Sequence, residues 1–87
     1  FNLYPNPVND VAFISLEHQK GSEFTNKQIT KAEILTMEGL PILVKEFNSL
    51  EEVRIDLPSE IRGIYLLKIT DTENKNYTRK MLVRFRD

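Results

Sequence analysis

Apolar residues recur at nearly every second position along this chain, the spacing that gathers them on one face of an extended strand. Ala12, Ile14 and Leu16 alternate with Phe13 and Ser15, and Ala32 and Ile34 with Glu33 and Leu35. Val53, Ile55 and Leu57 alternate with Arg54 and Asp56. Denser runs occupy 41–47 (PILVKEF) and 64–69 (IYLLKI). From Lys80 to Arg86 the alternation predicts Met81, Val83 and Phe85 on one face, with Lys80, Leu82, Arg84 and Arg86 on the other. The stretch from Gln28 to Met37 has some helical character, but its β-branched content and its alternation favour a strand.

Turn-forming clusters separate these runs: Pro5 to Asp10, Lys20-Gly21-Ser22, Glu38-Gly39, Leu57-Pro58-Ser59 and Asp71 to Asn76. Several short strands with regular turn signals predict an all-β fold. About seven strands, mostly antiparallel and counting Phe1–Tyr4 as an edge strand, suit an immunoglobulin-like β-sandwich, here without the cysteine pair or tryptophan of antibody domains. In YPNPVND, Pro5 and Pro7 have fixed φ and no N–H, and Tyr4 and Asn6 are pushed out of the helical region. The segment therefore reads as a stiff, extended corner that turns the chain into its first full strand. Gly39 falls where a β-turn needs positive φ. Tyr65, just after Gly63-Ile64, is placed for a tyrosine corner, with a buried ring and a hydroxyl returned to the backbone.

Length and composition narrow the functional classes. Eighty-seven residues make a single domain with a small core, spanning 1–87. The chain starts at Phe1, which predicts a piece of a longer protein. With 40% hydrophobic and 29% charged residues the composition is that of a folded domain, and no apolar run approaches the ~18 residues of a membrane span. A formal charge of −1 gives no reason to expect a nucleic-acid partner. Absence of cysteine excludes disulfides and thiolate metal sites. Charge is uneven locally: 75–87 holds five basic residues and one acid, and 46–60 five acids and one base. The basic end reads either as a solvated strand face or as a cationic terminal strand offered to a receptor.

Catalytic chemistry finds little to use. His18 is the single histidine, in a polar loop, and the three glycines are too scattered to cradle a phosphate. Asp71, Glu73 and Asn74 are the best oxygen ligands for calcium, but the spacing lacks the glycine and distal glutamate of an EF-hand and includes Lys75, so a plain hairpin loop is the preferred reading. Asn76-Tyr77-Thr78 matches the N-glycosylation sequon. The expectation is a non-catalytic domain without metal or cofactor. An alternative is a carbohydrate-binding or adhesive β-sandwich module of a surface enzyme, with Phe13, Phe24, Phe47 and Tyr77 as candidate sugar-stacking rings.

Read in order, Tyr4-Pro5-Asn6-Pro7, Ala12 to Leu16, Ile34 to Gly39, Ile55-Asp56-Leu57, Gly63 to Ile69 and Lys80 resemble the C-terminal sorting domain of the type IX (Por) secretion system of Bacteroidetes. The resemblance covers nearly the whole chain. It implies a small immunoglobulin-like sandwich carried by a larger exported protein and read by the outer-membrane translocon after passage to the periplasm. It also implies a sortase-like peptidase that often removes the domain and attaches the cargo at the cell surface. The residues matching the family's sorting motif are Pro5, Asn6, Pro7, Gly39, Gly63, Tyr65 and Lys80. Lys80, Leu82, Arg84 and Arg86 would form a translocon-facing terminal strand. Asp10 stands where the family commonly has glycine, and Leu40-Pro41 where a basic residue is common after the turn glycine. An isolated sandwich with open edges can also pair weakly with a copy of itself.

Overall fold

A computed structural model describes residues 1–16 and 28–85. These contain strands and no helix: β1 (Asn2–Tyr4), β2 (Val11–Ser15), β3 (Ile29–Leu35), β4 (Pro41–Leu50), β5 (Glu52–Asp56), β6 (Gly63–Asp71) and β7 (Asn76–Val83). They form a three-stranded sheet in the order β1-β2-β5 and a four-stranded sheet in the order β4-β3-β6-β7, with every neighbouring pair antiparallel. In immunoglobulin lettering the two orders read A-B-E and C′-C-F-G.

The alternation in the sequence is the reason the sheets pack. Ala12, Ile14 and Leu16, with Val53, Ile55 and Leu57, are buried from the smaller sheet. Ile29, Ala32, Ile34, Leu67, Ile69, Met81 and Val83 are buried from the larger one, and all join a single core cluster. Each fully buried Ile, Leu or Val contributes roughly 1.5–3 kcal/mol, and in a domain this small no second core shares the load.

Strand limits depart from the periodicity at two places. β4 continues to Leu50: its pairing with β3 is interrupted after Lys31 and Glu46 by an irregular stretch in which Ser49 takes φ 51, and resumes where Ile29 pairs with Leu50. The last strand starts at Asn76, four residues before Lys80, and ends at Val83. The turn cluster read from the sequence ends at Asn76, and Tyr77 to Arg79 fall between it and the alternating run from Lys80, yet Asn76 to Arg79 pair with Thr70 to Leu67 across a tight hairpin. Arg84 and Phe85 lie past the strand, and Phe85 is 70% exposed instead of joining Met81 and Val83 inside. Arg86, His18, Phe24 and the Lys20–Ser22 turn lie outside the described residues.

The turn between β3 and β4 shows why glycine stands at position 39. Thr36 N–H donates to the Leu40 carbonyl at 2.8 Å, and Gly39 N–H donates to the Thr36 carbonyl at 2.9 Å. Gly39 closes the loop at φ +91, and a Cβ there would meet nothing within 4 Å. A substitution would therefore cost conformational strain and no clash. Gly39→Ala should lose about 1–2 kcal/mol in urea unfolding, with Gly39→Asn recovering part of it because Asn tolerates positive φ. Equal stability of all three forms would refute that account. Pro41 opens the edge strand β4, a position where its missing N–H is tolerated.

Candidate functional site

Four segments far apart in sequence meet at one end of the four-stranded sheet. Leu35, the last residue of β3, pairs with Leu66 near the start of β6, so the β3–β4 turn lies at that end. Gly63, the first residue of β6, pairs with Val83, the last of β7, so the β7 terminus lies there too. The proline corner is the fourth segment. It leaves the β1 edge of the smaller sheet, and Val8 forms a parallel bridge with Val83 of the larger one. Val8 N–H donates to the Leu82 carbonyl at 2.8 Å, and Arg84 N–H donates to the Val8 carbonyl at 2.7 Å. The last strand is thus hydrogen-bonded on both sides at its end.

The opening corner works as a strap between the two sheets. Val8 is 0% exposed, whereas Pro5 and Asn6 are exposed and Pro7 is half-buried. Both Tyr4-Pro5 and Asn6-Pro7 bonds are cis. Arg62, from the loop before β6, pins the far side of the strap. Its guanidinium donates to the Asn9 carbonyl at 3.0 Å and to the Asp10 carboxylate at 3.0 Å. The Arg62 side chain is only 9% exposed. Leu57 N–H donates to the Asp10 carbonyl at 2.8 Å. Asp10 is not among the residues with positive φ, so glycine's freedom is not needed here, and the carboxylate supplies an anchor that glycine would lack.

The outer face of the larger sheet changes character along its length. Toward the β6–β7 hairpin it carries polar and charged residues: Lys31 bridged to Glu33 at 3.3 Å, with Glu46, Thr70, Asn76 and Thr78. Toward the strap it is apolar. Leu35 and Leu66 are half-buried neighbours, and Ile42, Val44, Ile64 and Leu82 are 43%, 48%, 58% and 45% exposed. Lys80 is exposed and stands directly opposite Leu66, and Lys68 opposite Glu33 and Thr78. Among the described residues Lys68, Lys80 and Arg84 have no ion-pair partner.

Most of the positions singled out from the sequence lie around this end, though not all with the expected role. Gly39 and Gly63 bracket it, both with positive φ, and a Cβ on Gly63 would touch the Phe85 ring at 3.5 Å. Lys80 and Leu82 face outward from β7, and Arg84 follows it as an exposed residue hydrogen-bonded to the strap. Tyr65 points the other way. It is half-buried against the core opposite Met81, and its hydroxyl has no partner among the described residues, so it forms no tyrosine corner. The anchored hydroxyl belongs to Tyr77, which donates to Asp71 at 2.9 Å. Of the remaining cations in the basic segment, Arg79 donates to the Phe1 carbonyl at 2.9 Å, and the Lys75 ammonium lies 5.5 Å from the centre of the Tyr77 ring. The acidic segment runs from β4 to the loop before β6, with β4 at the opposite edge of the sheet from β7.

The β6–β7 hairpin explains the carboxylates weighed as calcium ligands. Asp71 is 1% exposed, and one of its oxygens accepts the N–H groups of Glu73 and Lys75, each at 2.9 Å. Its other oxygen takes the Tyr77 hydroxyl, so a cation would have to displace protein donors. Among the described residues no cluster of three or more His, Cys, Asp or Glu is placed to hold a metal. The candidate sugar-stacking rings are not gathered either. Phe47 and Tyr77 pack against the core, while Phe13 lies on the outer face of the smaller sheet. There Phe13 stacks on Tyr4 with ring centres 5.4 Å apart and planes 16° from parallel. The Tyr4 hydroxyl donates to the Glu52 carboxylate. That hydrogen bond, then lost hydration and the carboxylate charge, hold the phenol above its usual titration range.

The apolar patch was not singled out from the sequence, although its signal was present. In ILV (42–44) and IYLL (64–67) consecutive residues are apolar, which means both faces of the strand are, not only the inward one.

A family model described as a secretion system C-terminal sorting domain matches residues 2–84. No curated protein matches the chain. No solved structure does either.

Proposed function

This chain belongs to the secretion system C-terminal sorting domain family and is a sorting signal for type IX secretion; we propose that the machinery reads it as a folded sandwich, through the outward residues Lys80, Leu82 and Arg84 at the end of β7. The family consists of sorting signals, which are in general non-catalytic, and it implies a Bacteroidetes source and a cargo exported across the outer membrane. On this reading residues 1–87 form one sorting domain carried at the C-terminus of a larger protein. The cargo passes through the periplasm to the cell surface or beyond, and a sortase-like peptidase removes the domain after transit. Gly39, Gly63, Pro5, Asn6 and Pro7 then serve the reading indirectly, by shaping the turns and the strap that present the face. Tyr65 supports it from the inward side of β6, half-buried against the core.

Lys80 carries the proposal. It is exposed on the outer face of an edge strand and has no partner among the described residues, so folding gives no reason for a cation there. Lys80→Ala should leave the unfolding free energy within about 0.5 kcal/mol, as for a surface residue away from caps and pairs. In a type IX host, the full-length exported protein with that substitution should accumulate inside the cell. Normal export of the Lys80→Ala protein would remove Lys80 from the recognition surface. A large drop in stability would show that the residue holds the fold instead.

A further inference from the structure

We infer that the apolar half of the outer face of the β4-β3-β6-β7 sheet is the docking surface for a protein of the secretion machinery whose own contact patch is apolar and bordered by carboxylates. This rests on the sorting reading and adds to it the surface and the chemistry of the partner. In a sandwich the outer face of a sheet meets water, and the alternation that buries one face normally leaves the other polar. Here that holds only for the half nearer the β6–β7 hairpin. In the other half Ile42, Val44, Ile64 and Leu82 are each more than 40% exposed; Ile64 pairs with Leu82 and half-buried Leu35 with half-buried Leu66, while Val44, paired with Glu33, stands at the border with the polar half. A contiguous exposed patch of this kind on a small domain marks an interaction site, since scattered single residues would need no explanation. None of these side chains joins the core cluster, so the fold does not account for them.

The charges around the patch define its occupant. Elsewhere on the molecule three cations have an acidic partner, Lys31 with Glu33, Arg54 with Asp56 and Arg62 with Asp10, while Arg79 donates to the Phe1 carbonyl, Lys75 lies over the Tyr77 ring and exposed Lys45 has no acidic partner among the described residues. Beside the patch, Lys68, Lys80 and Arg84 have no acidic partner among the described residues. An apolar centre with an unpaired cationic border fits a partner with an apolar centre and an acidic border. A second copy docked through the same face would bring two sets of these cations together, which disfavours self-association there.

The test uses the full-length exported protein in a type IX host, with the purified domain melted in parallel. Ile64→Ser combined with Val44→Ser leaves β7 untouched, so its outcome is independent of Lys80. Export should fall at least tenfold, with an unchanged melting midpoint. Lys68→Glu should also lower export and Lys68→Arg should not, while Thr78→Ala and Glu46→Ala on the polar half should export normally. If deletion of the whole domain abolishes export but the Ile64/Val44 double variant exports normally and stays folded, the docking surface is wrong and the sorting reading stands. Normal export after deletion of the domain would overturn the sorting reading itself. Two further outcomes would overturn the inferred partner. One is a concentration-dependent dimer that the double substitution dissociates without affecting export. The other is patch-dependent flotation of the domain with phosphatidylethanolamine–phosphatidylglycerol vesicles.

Discussion

Truncation of the chain after Arg79 should unfold the domain, although every residue removed lies at the very end of the sequence. Met81 and Val83 are 1% and 0% exposed and belong to the core shared by the two sheets. Removing a buried Met side chain costs about 2–5 kcal/mol in comparable cores and a buried Val somewhat less, before any lost pairing is counted. The pairing lost is extensive: Gly63 to Leu66 lose their partners on β7, and Val8 loses both hydrogen bonds that tie the strap to the larger sheet. A domain of this length holds roughly 5–10 kcal/mol in total, so these losses exhaust it. The purified truncation should lack a cooperative melt and show collapsed amide dispersion by NMR, whereas Lys80→Ala and Leu82→Ser should keep both. A folded truncation would mean that the β7 end is dispensable to the core. The expected unfolding has a practical consequence: an export defect caused by deleting 80–87 would report on folding, and only outward-facing substitutions separate recognition from it.

The inward half of this structure was legible from alternation, because a half-buried strand must repeat every two residues. Ala12, Ile14 and Leu16, and Val53, Ile55 and Leu57, are buried where the pattern places them. Positive φ at Gly39 was legible for a similar reason, since the turn demands a residue without a Cβ. What escaped was set by tertiary contact. Val8 looks like one more corner residue, and only the bridge to Val83, 75 positions away, gives it a burial of 0% exposed surface. The start of β7 escaped because an edge strand can be polar on its exposed side and still complete a ladder with β6. Tyr65 was assigned the anchored hydroxyl from its position after Gly63, but the buried acceptor formed at Asp71 and Tyr77 reaches it. At the candidate site the motif positions were visible in sequence, while their convergence at one end of a sheet needed the strand order. The apolar outer face was visible only as an excess of apolar residues in 42–44 and 64–67.

The largest effect expected from a single substitution is at Asp71. Its buried carboxylate organises the β6–β7 hairpin by accepting the N–H groups of Glu73 and Lys75 and the Tyr77 hydroxyl. Asp71 N–H donates to the Lys75 carbonyl, and Asn74 N–H donates to the Asp71 carbonyl, each at 3.0 Å, with Asn74 at φ +65. The same corner reaches β3, because Thr72 N–H donates to the Gln28 carbonyl at 3.0 Å and Asp71 pairs with Ile29. Asp71→Ala therefore strands two backbone donors and a phenol in or beside the core, and charge-assisted hydrogen bonds of this kind are among the costlier ones to lose. The expected loss is roughly 3 kcal/mol, seen in a domain of this size as a fall in melting midpoint of more than about 10 °C. Asp71→Asn should lose clearly less. Its carbonyl oxygen can still accept the two N–H groups, and the Tyr77 hydroxyl can turn to accept from the new amide. Tyr77→Phe should cost about 1 kcal/mol alone and far less once Asp71 is already Ala, since the two then share one lost contact. Equal losses for Asp71→Ala and Asp71→Asn, or additive losses for the Ala and Phe substitutions, would show that the carboxylate does not hold this hairpin closed.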